Sequence, residues 1–280
     1  MLETITSIKD EKITLARAIK SRKGRQAHQR ILLEGEEILD WAIENTVCIE
    51  YILASDKSIS SLTKKYFARN LKVFAVSEGI LKKVTDTTYV IPVIGVAKPP
   101  SKNVNLQSPF VVVLDAVHDF GNIGTIIRTC QAFGIRTIIS TTNDFDIYQR
   151  KTIEASRGSV FATHVESFQS DMNAIAYLTK HGYQIVATSL KGAELQSLVE
   201  LKRQPVALVV GNETTGISPA FEQYADFLIK IPMFHTVESL NVGVATGISI
   251  YELKLKQVMA MIDSRCINNI QGRQTTCVFI

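Results

Sequence analysis

The most regular hydrophobic pattern lies in the second part of the chain. Residues 109–115 read PFVVVLD, a continuous apolar run of the kind that forms a strand buried on both faces. A helix is expected over 122–133, then a strand over 136–140. Further strands fit 184–188 and 205–210, with a helix over 171–181 before them. A short strand at 227–231 precedes a helix running from about 240 to 258. Alternating strands and helices imply a parallel sheet covered on both faces, an α/β fold. Ligands of such sheets bind outside the carboxyl ends of the strands, so the loops there are where chemistry is to be sought.

The first hundred residues read as a smaller α/β unit. Helices are expected over 5–20 and 34–45, and strands over 47–54, 71–76 and, despite Pro92, 89–96. Between the two parts stands Lys98-Pro99-Pro100-Ser101-Lys102-Asn103. Its proline pair stops a helix and offers no backbone donors to a sheet, so it reads as a linker. The organisation expected is a domain over 1–98, a linker over 99–106, a larger domain over 107–260 and a tail over 261–280 with no assignable role.

Composition narrows the class. With 46% hydrophobic and 21% charged residues in a chain of 280, wholesale disorder and a fibrous repeat are excluded. Cys48, Cys130, Cys266 and Cys277 are far apart and show no Cys-x-x-Cys spacing, which argues against a cysteine-based metal centre or a disulfide scaffold. The start MLETITSIKDEK lacks a signal peptide's apolar run, and no apolar stretch nears the roughly 20 residues of a membrane helix. A cytoplasmic protein without metal or membrane partner is expected.

Charge changes the picture further. The net +4 divides into 17 basic and 12 acidic residues before position 106, and 14 basic and 15 acidic after it. Much of the excess is local, with Lys9, Lys12, Arg17, Lys20, Arg22, Lys23, Arg25 and Arg30 close together in the chain. Such a cluster is either the electrostatic footprint of phosphate binding or a solvated helix face, and charge alone leaves both open.

The usual cofactor signatures are missing: neither G-x-G-x-x-G after the first strand of the second part nor G-x-x-x-x-G-K-[ST] occurs. No H-E-x-x-H or G-x-S-x-G is present. Three strand-end segments stand out instead. DAVHDFGNIGTIIRTCQAFGI (115–135) places Asn122 where it could cap a helix, with Arg128 six residues on. LVVGNETTGIS (208–218) breaks a buried strand into Gly211, Glu213 and Gly216, where glycines let backbone amides approach a ligand or simply make a tight turn. IPMFHTVESLNVGVATGISIYE (231–252) leads through Ser239 and Asn241, an N-cap pair by position, into a helix bearing Gly243, Ala245 and Gly247.

In order and spacing the three segments resemble motifs 1, 2 and 3 of the SpoU/TrmH family, the ribose 2′-O-methyltransferases of the SPOUT superfamily. The resemblance covers residues 110–257, and KSRKGR and ILLEGEEILDWAIE in the first part resemble the family's ribosomal-protein-like RNA-binding domain. It implies a catalytic domain closed by a trefoil knot, an exception to unknotted topology. It also implies S-adenosylmethionine as cofactor, held near Thr188, Gly211, Ile231, Met233 and Leu240, and a homodimer in which Arg128 reaches toward the partner's cofactor. Small residues on the last helix would suit its interface. The catalytic set implied is Asn122, Arg128, Glu213, Ser239 and Asn241, with RNA contacts at Arg22, Lys23, Arg25 and Arg30.

Two positions depart from motif 3: His235 stands where the family usually has glycine, and Gly243 where it has serine. EASRGSVF (154–161) resembles a segment of the thiopeptide-resistance members that modify large-subunit rRNA. There Arg157 is either an RNA contact or a structural arginine after a helix. Large-subunit rRNA is the first substrate expected and tRNA the second. The other readings are a non-catalytic RNA-binding or ribosome-assembly protein on the same fold, and a base methyltransferase of the wider superfamily.

Overall fold

Two sheets organise the protein. The computed structural model describes residues 3–59, 65–100, 108–142, 145–197, 205–234 and 239–269, with side chains described as far as 256. The chain forms two compact units. Met1–Val104, Asp119–Arg128 and Asp146–His164 make the first, and Asn105–His118, Thr129–Phe145 and Val165–Ile280 the second.

The first unit holds a five-stranded sheet in the order β1 (Glu3–Ile5), β4 (Val73–Val76), β3 (Ile49–Ser55), β5 (Val93–Ala97), β2 (Ile31–Glu34). β1, β4 and β3 run parallel, while β5 lies antiparallel to β3 and β2. The helix expected over 5–20 is shorter and is preceded by a strand. Ile5 pairs with Val76, and α1 covers Glu11–Ala18 only. Asp10 sets that start, its carboxylate accepting from the Lys12 amide at 2.8 Å. The helix expected from 34 begins instead at Glu36 (α3, Glu36–Glu44), because Gly35, at φ +109°, turns the chain out of the buried strand β2. Pro92 lies outside the strand, which starts at Val93. α2 (Arg22–His28) and α4 (Glu78–Thr85) complete this part, and Ile13, Ile19, Leu53, Val76, Leu81 and Ile94 sit in its core.

Two later segments belong to the same unit. The first residues of α5 (Phe120–Ala132) pack on α6 (Arg150–Ser156). Their approach is close at Gly124, where a Cβ would stand 2.6 Å from Ala155 Cβ and 2.7 Å from the Thr152 carbonyl oxygen.

The second unit carries a six-stranded sheet in the order β11 (Phe227–Lys230), β9 (Gln184–Glu194), β10 (Val206–Gly211), β6 (Phe110–Asp115), β7 (Thr137–Ser140), β8 (His164–Ser167). The pairs β11–β9, β9–β10, β10–β6 and β6–β7 are parallel, as the alternating pattern implies. Every residue of β6 and β10 is buried, which is why their sequences are continuously apolar. Val111, Val113, Ile185, Val209 and Phe221 form the core beneath α7 (Asp171–Lys180) and α8 (Pro219–Tyr224). β9 is longer than expected. Leu228 faces Ala187 in the ladder, but Ile229 faces Ala193, so the register shifts and residues 188–192 form a bulge of β9 against β11. The last helix, α9, runs from Val242 to Asn269, beyond the expected end at 258. His235, most of the linker (101–106) and the last part of the tail (270–280) lie outside the described residues.

Candidate active site

The bulged segment 188–191 of β9 forms one wall of a cavity beside the end of β10. The cavity measures about 510 Å³, within the range of small-molecule sites. Its lining includes Thr188, Gly211, Ile231, Met233 and Leu240, all five positions expected to hold a cofactor, together with Glu213 and Ser239. Isoleucines and leucine supply apolar walls, while the loop after β10 offers backbone groups.

That loop is folded tightly. Asn212 and Gly216 exchange two backbone hydrogen bonds of 3.0 and 2.9 Å, and the Asn212 side-chain oxygen accepts from the amides of Thr214 and Thr215. Gly211 permits the fold-back: a Cβ there would lie 2.2 Å from the Gly216 carbonyl carbon. Gly216 itself sits at φ +72°.

Sequence reasoning missed several residues of this cavity. Ser189, Lys191 and Glu222 line it, and Lys191 Nζ donates to both Glu222 oxygens at 3.2 and 2.9 Å. The Lys191 hydrogen bond holds the Glu222 carboxyl below the usual range. Ser249, on α9, also lines the cavity, fully buried and, among the described residues, with no hydrogen-bond partner for its hydroxyl. The signal for 189 and 191 lay in the extension of β9, which no periodicity marks.

Asn241 serves α9 as its N-cap, its side-chain oxygen accepting from Gly243 and Val244 at 2.9 and 3.3 Å. Asn122 does not cap α5. Asp119 takes that place, accepting from the Asn122 amide at 2.8 Å and pairing with Lys151 at 2.6 Å. The Lys151 hydrogen bond, reinforced by that amide, lowers the Asp119 carboxyl below its ordinary value. Asn122 is thereby the third residue of α5, and Arg128, exposed, lies roughly 9 Å further along the same helix.

The basic cluster is only partly turned outward. Lys23 is exposed and Arg22 half-buried. Arg25 faces inward instead: its guanidinium pairs with Asp146 at 2.5 Å, donates to the Ile19 and Lys20 carbonyls, and both charged side chains are about one-tenth exposed. Arg30 pairs with Glu50 at 2.5 Å. Arg157, at φ +47°, ends α6, bonds Glu37 on α3 at 2.9 Å and stacks over Trp41, yet keeps 57% of its side chain exposed. Those contacts match the structural alternative and leave a face open to solvent.

Comparison with known proteins decides the family. A model of the SpoU rRNA Methylase family matches residues 109–251, and a model of an MRM3-like substrate binding domain matches residues 10–95. The chain belongs to the SpoU family. Among SpoU relatives, it is 27% identical to the 23S rRNA (guanosine(2553)-2′-O)-methyltransferase RlmP of Bacillus subtilis, over 90% of this chain and 100% of that one. It is 32% identical to the 23S rRNA (adenosine(1067)-2′-O)-methyltransferase of Streptomyces azureus, over 83% and 88% of the two chains. The AdoMet-bound rRNA methyltransferase of Sinorhizobium meliloti superposes with a TM-score of 0.74 at 29% identity, covering 90% of this chain and 97% of that one. As a SpoU protein the chain is an RNA methyltransferase by family. Among the described residues no group of His, Cys, Asp or Glu could hold a metal, and no helix is long and apolar enough to cross a membrane.

Proposed function

We propose that this SpoU protein uses S-adenosylmethionine to methylate a ribose 2′-OH of large-subunit rRNA, working as a cytoplasmic homodimer with a knotted catalytic domain over 107–260. The observation carrying this reading is that five separately expected cofactor positions, spread from Thr188 to Leu240, line one cavity with Glu213 and Ser239. The cavity suits a nucleoside-sized molecule: apolar walls for a flat ring, a glycine-built loop for close backbone approach, and a buried hydroxyl at Ser249 without a partner among the described residues. Support for an rRNA substrate comes from the 23S enzymes of Bacillus subtilis and Streptomyces azureus, which match across both parts of the chain.

When bound, the cofactor supplies the electrophilic methyl group, so the protein's work is alignment and charge stabilisation. Holding the reacting atoms in line contributes several kcal/mol, about 7–11 in the best intramolecular cases. Arg128, whose guanidinium stays protonated at pKa above ~12, is a poor base. It clamps the adjacent phosphate and stabilises the oxyanion developing at the 2′ oxygen. Asn122 orients the ribose or Arg128, Glu213 positions the arginine, and Ser239 and Asn241 shape the nucleophile pocket. Asn241 does so through the helix end that it caps. Lys23, Arg22 and the exposed face of Arg157 provide phosphate contacts, with Arg25 and Arg30 acting through their carboxylate pairs to hold the basic segment in shape.

The dimer surface follows from α9. Val244, Ile248, Tyr251 and Leu255 recur at helical spacing and are each at least 37% exposed, an apolar stripe that, among the described residues, Phe133 meets through an edge-on ring contact with Tyr251. Of the small residues, Ala245 instead lines the cavity and Gly247 lies 3.6 Å from Thr129 by its virtual Cβ. The test is methyl transfer to ribosomal RNA by purified protein, with the product nucleoside identified by mass spectrometry. A 2′-O-methyl on 23S rRNA, lost in Arg128→Ala, is expected. Product on tRNA, on a base, or undiminished in Arg128→Ala would overturn the corresponding part.

A further inference from the structure

A buried carboxylate stands beside the candidate cofactor loop without a role in any of the chemistry above. Asp115 ends β6, is 3% exposed, and lies next to Gly211 of β10 in the parallel ladder. Among the described residues no cation pairs with it. Its charge is met by two donors from different parts of the second unit. Thr141 Oγ1, just beyond β7, donates to Oδ1 at 2.9 Å, and the backbone N–H of Ser218 donates to Oδ2 at 2.6 Å.

The Thr141 hydroxyl accepts from the Ala116 amide at 3.2 Å and turns its own proton to Asp115, while a peptide N–H can only donate. Both carboxylate oxygens accept in this arrangement. An asparagine would set an NH2 group against one of the two donors. Ala116, which follows, is held at φ +54°, a costly conformation for a residue with a Cβ, and the Asn212 side-chain amide donates to its carbonyl at 3.0 Å. The loop 211–218 is thus fastened to the end of β6 at both of its ends, by Asn212 to Ala116 and by Ser218 to Asp115.

We propose that Asp115 is a positioning residue for the cofactor cavity: as the acceptor of the Thr141 hydroxyl and the Ser218 amide, it latches loop 211–218 in its cofactor-binding conformation. This rests on the cavity being the S-adenosylmethionine site, but the latch itself can be read without cofactor. Without the latch, the loop carrying Glu213 and the Gly211–Gly216 turn opens at its Ser218 end, and the cavity loses one wall.

The test uses the full-length protein with Asp115→Asn and, should that variant not fold, Thr141→Val, which keeps the carboxylate and removes one donor. Hydrogen exchange by mass spectrometry is expected to show peptides spanning 211–221 exchanging at least tenfold faster, with α7 unchanged. Calorimetry with S-adenosylmethionine is expected to show at least tenfold weaker binding, while rRNA affinity is kept. Exchange that is unchanged in the loop, or raised equally across the sheet, overturns the latch. Faster loop exchange with undiminished cofactor affinity overturns its role in the cavity. If the wild type itself fails to bind S-adenosylmethionine, the functional reading falls, and the exchange data judge the latch separately.

Discussion

Glu34 shows how a single buried group sets a pH dependence. Its carboxyl is pushed above the usual range by burial, against the opposing pull of Arg150 at 3.5 Å and of Lys20. A carboxyl with a raised folded-state pKa binds its proton more tightly in the folded protein. Its ionisation therefore costs stability as pH rises from the unfolded value through the folded one, and the full cost is present above that. Glu34→Gln is accordingly expected to raise the melting temperature at pH 7.5, with the gain vanishing near pH 4. A lower melting temperature at pH 7.5 would mean that the Arg150 pair outweighs burial. At this scale the five positions that line the cavity were legible through the motifs, because segments such as those around Gly211 and Leu240 are contiguous in sequence. The partners of Arg25 and Arg30 were not, since Asp146 stands 121 positions from Arg25 and no local pattern marks so distant an ion pair.

Among elements, the contact of α5 with α6 is closely constrained. Gly124 allows the two helices to meet with Ala155 and Thr152 almost in backbone contact. Gly124→Val inserts atoms where no space exists, and overpacking of this kind costs about 1–3 kcal/mol. A lower urea midpoint with an unchanged slope is the expected reading. An unchanged midpoint would show that the helices separate freely. The apolar runs of β6 and β10 announced themselves because strands buried on both faces need no polar alternation. β1 and β2 did not, being short segments whose propensity yields to pairing with neighbours remote in sequence.

For the whole molecule, the exposed stripe on α9 and the proposed dimer make a joint prediction. Ile248→Glu places a charge in the middle of the stripe, which a self-complementary interface would bury twice. Light scattering should find a dimer for the wild type and a monomer for the variant, with methyl transfer reduced at least tenfold because Arg128 is proposed to act on the partner's cofactor. A fully active monomer would sink that arrangement. The charge division belongs to the same scale: a basic first part and a nearly neutral second part match the expected split between RNA binding and catalysis.

Hydrophobic periodicity by itself determined the α/β class, the parallel sheet of the second unit and the strand ends beside which the cavity lies. Three motifs in order determined the family. These are local properties, readable because burial imposes a pattern on neighbouring residues. Tertiary structure alone decided the register jump in β9 beside which residues 188–191 wall the cavity. It alone brought the Ser218 amide, 103 positions away, onto Asp115. A hydrogen bond between such distant groups depends on how strands are ordered across a sheet, and that order leaves no periodic trace in the chain.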